Sequence, residues 1–542
     1  MSRARKRAHG AAAYVESWPL RSTPAQRSIC EIRFESGRRM YNACLGEALR
    51  RSAAIKADPA WGIAHKLPKG EPRSDASNAR RAAFGELDER HRFTLTAMQS
   101  YGSSLREGWV RDHVRSQETQ RLARRAFEAV HRYHRGLGGK PRFKSVSRPL
   151  HSLEAKDHCG SLVPVFDETG LLCGLRWGRD MALDMSKPES KKESDEFERL
   201  SSAVASGWLY ARIVRTVIRG RVTYRAQFVC DGRPPIRHEV GGERVSLDLG
   251  PSVVDVVHDT GSFTAPLAVD VNAVGIAAKA AELRRSQRHL DRQHRAGSPQ
   301  CFKPDGTHIK GKCHWKNRSK NARRSIIHVS DEYRKIAAHR RSSHGGLWNQ
   351  ILGIGVDIRT EDLNYVAWQK MFPRSVRDKA PGLFIEIGRR KAESAGGSFY
   401  EYSPWTTALS QSCVCGGRVK KRLSERTHRC PVCGLVAPRD RFSAFLGLSV
   451  HSVVDPETGE IQDLLNVEEA REALLNRHDI GGHPTLSSIK QRGSRHGRHP
   501  RHPRAVARRK SRLKSGGDGV ARGKPTQPVP TAHVTTAKAL AA

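Results

Sequence analysis

Val245-Ser246-Leu247-Asp248-Leu249-Gly250 puts one carboxylate in the middle of an apolar strand and ends that strand in a turn. A charge in such a place is costly unless it binds something. A second strand is predicted over Val253 to Val257. Two cation-rich helices follow. In the first, Arg284, Arg288 and Arg292 recur every four residues and share one face, while Leu283 and Leu290 mark another. In the second, Ile326, Val329, Tyr333 and Ile336 form the predicted buried stripe. Between the two helices lies a loop with Pro304-Asp305-Gly306. A third strand, Ile354 to Ile358, leads into Thr360-Glu361-Asp362-Leu363-Asn364.

Upstream of this block, Val214, Thr216 and Ile218 alternate with polar residues, Gly220 offers a turn, and Val222, Tyr224, Ala226 and Phe228 alternate again, which predicts a hairpin. Nearer the start, Thr23-Pro24-Ala25-Gln26 reads as a capped helix opening, continued by Tyr41, Leu45 and Leu49. A second helical stretch runs from about Trp109 to Tyr133, with Leu122, Ala126, Val130 and Tyr133 on one stripe. This helical, basic region closes with Gly138-Gly139-Lys140-Pro141-Arg142-Phe143-Lys144. Beyond about Asn476 the chain is polar, with no acidic residue between Lys490 and Lys514, and is read as a disordered basic tail.

The chain has 542 residues, enough for several domains, and 96 Lys and Arg against 55 Asp and Glu, a formal net charge of +41. Such a field calls for a polyanionic partner, nucleic acid above all, since the cations occur in every region. No apolar run reaches the length of a membrane-spanning helix, and none follows the basic Met1 to Gly10 as a secretory signal would require.

Of eleven cysteines, seven are scattered, at 30, 44, 159, 173, 230, 301 and 313; this predicts a reducing compartment and no disulfide framework. The other four form two knuckles, Cys413-Val414-Cys415-Gly416 and Cys430-Pro431-Val432-Cys433-Gly434. Two such pairs suit four thiolates around one structural zinc, with no coordination position left for a substrate. The first knuckle is one residue short of the usual spacing. Cys301, Cys313 and His308 lack a second knuckle and are read as coincidence.

Metal-assisted cutting of a phosphodiester needs several carboxylates around hard cations. Asp248 is one candidate and Glu361, at a strand end, another. Asp362 competes with Glu361, because alternation alone does not say which faces inward. Asp440 follows Pro438-Arg439 and opens a helix containing Phe442, Ala444, Phe445 and Leu446, where an Asp also serves as a simple cap.

This order of strand Asp, cationic helices, strand-end Glu, cysteine pairs and helix Asp resembles the TnpB family and the compact type V CRISPR effectors related to it. Val245 to Gly250 looks like the first RuvC motif, Thr360-Glu361-Asp362-Leu363 the second, and Arg439-Asp440 with Phe442-Ser443-Ala444-Phe445-Leu446 the third. Trp368-Gln369-Lys370, Pro381-Gly382, Arg390 to Gly397 and Ser410-Gln411-Ser412-Cys413 also fit, as do Arg39-Met40-Tyr41-Asn42 and Lys140 to Lys144 upstream. Phe442 stands where many relatives have Asn, and the N-terminal half and tail exceed a minimal TnpB.

The resemblance implies Asp248, Glu361 and Asp440 as a triad for two Mg2+ ions, and favours Glu361 over Asp362. It implies a multidomain α/β and α+β chain: a basic N-terminus with the first strand of the wedge-like domain (1–22), a helical recognition lobe (23–150), a wedge-like β-barrel (151–243), an RNase H-like RuvC core (244–405), an inserted zinc ribbon (406–436), a last RuvC segment (437–475) and the tail (476–542). It implies a guide RNA, a double-stranded DNA target beside a short protein-read motif, a prokaryotic cytoplasmic, nucleoid-associated setting and a monomer. Arg284, Arg288 and Arg292 would then track phosphates, joined by Lys140, Arg142 and Lys144, with Phe143 beside them to stack on a base. The rival expectations are an RNA-guided binder that silences without cutting, and a transposon-associated DNA-processing protein.

Overall fold

The computed structural model describes residues 12–71, 74–156, 160–236, 238–269, 276–309, 318–422, 424–454 and 460–481. Cys159, Cys313 and nearly all of the basic tail lie outside them. The chain divides into two compact units, one ending at Pro235 and the other beginning at Ile236.

The first unit is built on seven strands: β1 (Ala13–Arg21), β2 (Ser152–Glu154), β3 (Leu162–Phe166), β4 (Leu172–Trp177), β5 (Ala182–Met185), β6 (Trp208–Ile218) and β7 (Arg221–Asp231). They form one antiparallel sheet in the order β2-β6-β7-β1-β5-β4-β3. The expected barrel is a half-barrel: among the described residues the edges β2 and β3 do not pair, and three-residue β2 offers few backbone groups for closure. The predicted hairpin is β6–β7, turned by Arg219 and Gly220, both at positive φ as a tight hairpin requires.

Between β1 and β2 the chain is helical. The helix Pro24–Ala57 starts with the expected capping box, Thr23 and Gln26 bonding each other reciprocally. Its buried Arg33 donates to the Trp177 carbonyl (2.9 Å) and to Asp180 (2.6 Å), tying the helix to β4. The predicted Trp109–Tyr133 helix is two helices, Val110–His113 and Ser116–His134, because Val114 and Arg115 are extended. Leu122, Ala126 and Val130 are buried as the stripe requires. Helices Pro59–Lys66, Asp75–Arg90 and Leu95–Ser104 carry too weak an apolar pattern to be read from sequence.

The second unit holds a mixed five-stranded sheet of β8 (Arg244–Leu249), β9 (Val253–His258), β10 (Ser262–Pro266), β11 (Asp357–Glu361) and β12 (Ser398–Tyr402), in the order β10-β9-β8-β11-β12. β10, β9 and β8 run antiparallel; β8, β11 and β12 run parallel. The third strand therefore lies three residues later than predicted. Ile354 is instead the last residue of the helix Lys320–Ile354, which Gly355 ends with its N–H on the Ile351 carbonyl.

That helix packs against the crossover helix Pro381–Ser394. Trp348 is fully buried, donates from Nε1 to the Phe384 carbonyl (2.7 Å) and stacks on the Phe384 ring at 4.8 Å. A Cβ on Gly388 would stand 2.0 Å from the Trp348 ring, so only glycine permits this approach. Arg477 and Ile480 correct the expected start of the tail. Arg477 is buried, bonded to Asp479 and to the carbonyls of His258 and Gly261, because its guanidinium closes the β9–β10 turn.

Gly388→Ala is expected to cost about 1–3 kcal/mol through overpacking. Hydrogen exchange would show faster amides across Pro381–Ser394 and unchanged ones across Pro24–Ala57.

Candidate active site and metal centre

The two cysteine pairs meet. Cys413 Sγ lies 3.6 Å from Cys433 Sγ, and Cys415 Sγ 3.6 Å from Cys430 Sγ. All four sulfurs lie within 4.8 Å of one another. Zinc–sulfur bonds of about 2.3 Å in a tetrahedron need sulfurs about 3.8 Å apart, so the donor set fits that ion. The short first knuckle folds like the longer one: Gly416 and Gly434 both take positive φ, donating back to the carbonyls of Cys413 and Cys430. Cys301 departs from the sequence reading: it is disulfide-bonded.

Strands β13 (Thr427–Arg429) and β14 (Val436–Pro438) of this module lead straight into the helix Arg439–Gly447. Cys413, Val414, Cys430 and Leu435 share one apolar cluster with Phe442, Phe445 and Leu446 of that helix. The thiol centre and Asp440 are thus parts of one packed body.

The helix lies against β8 and β9. A Cβ on Gly447 would stand 2.2 Å from Ser246 Oγ and 2.5 Å from Tyr402 Oη, which explains a glycine at the closest approach. Asp248 is on β8. Glu361 is the last residue of β11, opposite Tyr402 of β12. Asp440 is the second residue of the helix. All three are half-buried. Burial, and then the charges of Glu361, Asp440 and Asp255, push the Asp248 carboxyl well above the usual carboxylate range, against a smaller pull from Arg439. Burial raises Glu361 to about 6. Among the described residues, nothing donates a hydrogen bond to the Asp248 or Glu361 carboxylate.

Asp440 is held differently. Arg426 Nη1 donates to its Oδ2 at 2.9 Å and Arg439 Nε to its Oδ1 at 2.8 Å. Arg426 belongs to the loop between the cysteine pairs, and Arg439 also donates to the Glu425 carbonyl of that loop (3.0 Å). Turned onto these arginines, Asp440 does not close with Asp248 and Glu361 into a set within 4.8 Å; among the described residues only the four thiols do. Half-buried carboxylates lacking donors are the oxygen ligands a hard divalent cation takes, so Asp248 and Glu361 fit magnesium as they stand and Asp440 once released.

Two participants escaped the sequence reading. Asp255 sits directly opposite Asp248 across the β8–β9 ladder, and its signal was the same, a charge inside the apolar run Val253 to Val257. Arg426 carried no signal, one cation among many.

The helix Ile276–Gly297 exposes Arg284, Arg288 and Arg292, none with an acidic partner among the described residues. Leu283, Val329 and Ile336 fill its seam with the next helix. Lys140 and Arg142 are exposed, but Lys144 is half-buried with its charged form disfavoured by burial and Arg125, so it is poorly placed for a phosphate. Its backbone is clamped by Asn42, which accepts from the Lys144 N–H (2.8 Å) and donates to its carbonyl (2.7 Å). Phe143 is exposed, with its ring edge near Gly46.

Residues 382–445 match the family described as Cas12f1-like, TNB domain. The match spans both cysteine pairs and Asp440 and makes the chain similar to the compact type V effectors its motifs resemble. No curated protein sequence matches the chain. Among solved structures it is similar to the cryo-EM structure of a Cas12f1–sgRNA–target DNA complex, with TM-score 0.36 and 9% identity over 80% of this chain and 98% of that one. It is also similar to the cryo-EM structure of a CRISPR–Cas12f ternary complex, with TM-score 0.27 and 10% identity over 80% and 82% of the two chains. No helix among the described residues is long and apolar enough to cross a membrane.

Glu361 gives a pH signature. Its folded value of about 6 lies above the ordinary 4.5, so the folded state binds the extra proton between these values and loses stability as pH rises through that window. Glu361→Gln is therefore expected to be more stable than the parent by about 2 kcal/mol at pH 7.5 in chelator, the gain vanishing below pH 4.5. Thermal unfolding of both proteins across pH would check this.

Proposed function

We propose that the chain is an RNA-guided DNA endonuclease that hydrolyses both strands of its target in turn at the Asp248, Glu361 and Asp440 centre. The observation that carries this reading is the convergence of like charges on Asp248 from Glu361, Asp440 and Asp255 in a pocket nearly without donors. A sheet of three antiparallel strands continued by two parallel ones, with the acids on β8 and β11 and on a helix packed across β8, supports an RNase H-like core. The formal charge of +41 and the unpaired arginine face support nucleic acid as both guide and target.

Magnesium bound at this centre would supply Lewis acidity and an ionised water at neutral pH. The chain's own residues do the rest. Asp248 and Glu361 offer carboxylate oxygens where water is partly excluded and where a cation would favour their ionised form. Arg439 and Arg426 restrain Asp440 in the resting state. Arg426 is 69% exposed and hence free to exchange its carboxylate for a backbone phosphate of the strand being cut. The four thiolates would hold a structural zinc and thereby fix the loop from which Arg426 projects. Guide RNA pairing reads the target sequence, and the protein reads a short adjoining duplex motif, as in other RNA-guided nucleases.

Asp248→Ala, purified with its co-isolated RNA, is expected to retain that RNA and to lose magnesium-dependent plasmid cleavage by about a thousandfold, equivalent to about 4 kcal/mol. Cleavage at the parental rate would overturn the assignment, and a parent that binds target yet yields no product with magnesium would be a silencing protein. Replacing Arg284, Arg288 and Arg292 together by Ala is expected to lower the slope of log affinity for RNA against log salt by about two to three. Filter binding at several salt concentrations measures it.

A further inference from the structure

The β8–β9 ladder places two carboxylates, Asp248 and Asp255, directly opposite each other. Directly opposed residues of an antiparallel pair share one face, with Cβ atoms about 5 Å apart, and like charges in that relation destabilise a sheet. Neither strand is at an edge: β9 lies between β8 and β10, and β8 between β9 and β11. Asp255 is only 8% exposed, so solvent does little to relieve it. Apolar Val254, Val256 and Val257 around it are fully buried, and nothing in packing asks for an acid there.

Asp255 is also oriented. The Thr264 hydroxyl, on the neighbouring position of β10, donates to its Oδ1, and Arg441 Nη2 lies 3.4 Å from the same hydroxyl. Arg441 immediately follows Asp440, and the charges of Asp440, Arg441 and Arg426 all bear on Asp255. A separate observation points to something missing beside these acids. Ser443 is 4% exposed and its Oγ has no hydrogen-bond partner. It lies one turn after Asp440 and one turn before Gly447, on the helix face that meets Ser246 and Tyr402. An orphaned hydroxyl on that face is a place for a water or an ion's hydration shell.

We infer that Asp255 is a fourth carboxylate of the cation centre, a positioning residue that acts through Asp248 by raising the negative field there and strengthening divalent-cation binding. Resting on the nuclease reading, it adds an acid from β9 to those from β8, β11 and the helix. The like-charge pair across the ladder is then relieved when the cation arrives. Thr264, on the other side of β9 from Asp248, holds one oxygen of the Asp255 carboxylate until it does.

The test is divalent-cation binding by the full chain with its co-isolated RNA, with Mn2+ titrated by electron paramagnetic resonance and Mg2+ by calorimetry. Asp255→Asn keeps the acceptor for Thr264 and removes only the charge. It is expected to raise the cation midpoint by about tenfold, the usual cost of losing an outer partner of a metal site, with RNA retained. Asp255→Glu restores the charge and is expected to fall nearer the parent than D255N does. A D255N midpoint equal to the parent's overturns the role of Asp255. If D255N does not fold, a D255E midpoint as high as that of Asp248→Asn overturns it equally. Asp248→Asn separates the two ideas: unchanged cation binding there would sink the nuclease reading itself, whereas its loss beside a normal D255N sinks only the fourth carboxylate.

Discussion

Carboxylates held close together and partly out of water are the constraint on which the second unit depends. Burial and mutual repulsion both oppose ionising Asp248, and among the described residues nothing donates a hydrogen bond to compensate. A fold keeps such an arrangement only when the surrounding packing over-determines it. That packing is present on each side. β8 and β9 are lined by buried valines and leucines, the Trp348–Phe384 stack backs the sheet, and Gly447 lets the third acid's helix settle against β8. Holding acids in such a place costs stability, the usual trade at a site built for function.

The four-thiol module gives this scheme its remote anchor. Four thiolates around one ion leave no open position for a substrate, yet its loop supplies one restraint on Asp440 and braces the other. Arg426 binds the carboxylate directly. Arg439 binds it as well while donating to the Glu425 carbonyl, and its own N–H is fixed on the Arg426 carbonyl at 2.8 Å. Loosening the sulfurs would therefore loosen a carboxylate that they never touch. Coupling by a packed body shared between thiols and helix is sufficient; no longer pathway has to be invoked.

Much of this was legible in residue patterns, and the limits have physical causes. The strand acid Asp248 announced itself through the cost of a charge among valines and leucines. The cysteine pairs announced themselves by spacing. The hairpin β6–β7 showed the two-residue period and its turn glycine. What failed was local. Ile354 reads as strand because β-branched residues suit either state, and the helix reached it only because Gly355 lay beyond. The break at Val114–Arg115 carries no glycine or proline. The half-barrel's openness depends on the length of β2, which no alternation reveals. Asp255 carries the same signature as Asp248, a charge in an apolar strand, but only the ladder register shows that the two face each other.

The cations make the same point about composition. A net charge of +41 says that phosphate is wanted but not which arginines meet it. Arg33, Arg215 and Arg477 are buried or half-buried and each is committed to an acid of its own unit. They act as structural pins. Arg284, Arg288 and Arg292 are identical in chemistry, yet they stand exposed with no acidic partner among the described residues. Since a guanidinium already paired with a carboxylate must give up that partner to bind phosphate, the free stripe is the cheaper contact. Arg426 lies between these classes: it is paired with Asp440 but largely in solvent, whereas Arg439, which shares that carboxylate, is largely enclosed, so Arg426 is the partner better able to exchange it for a phosphate.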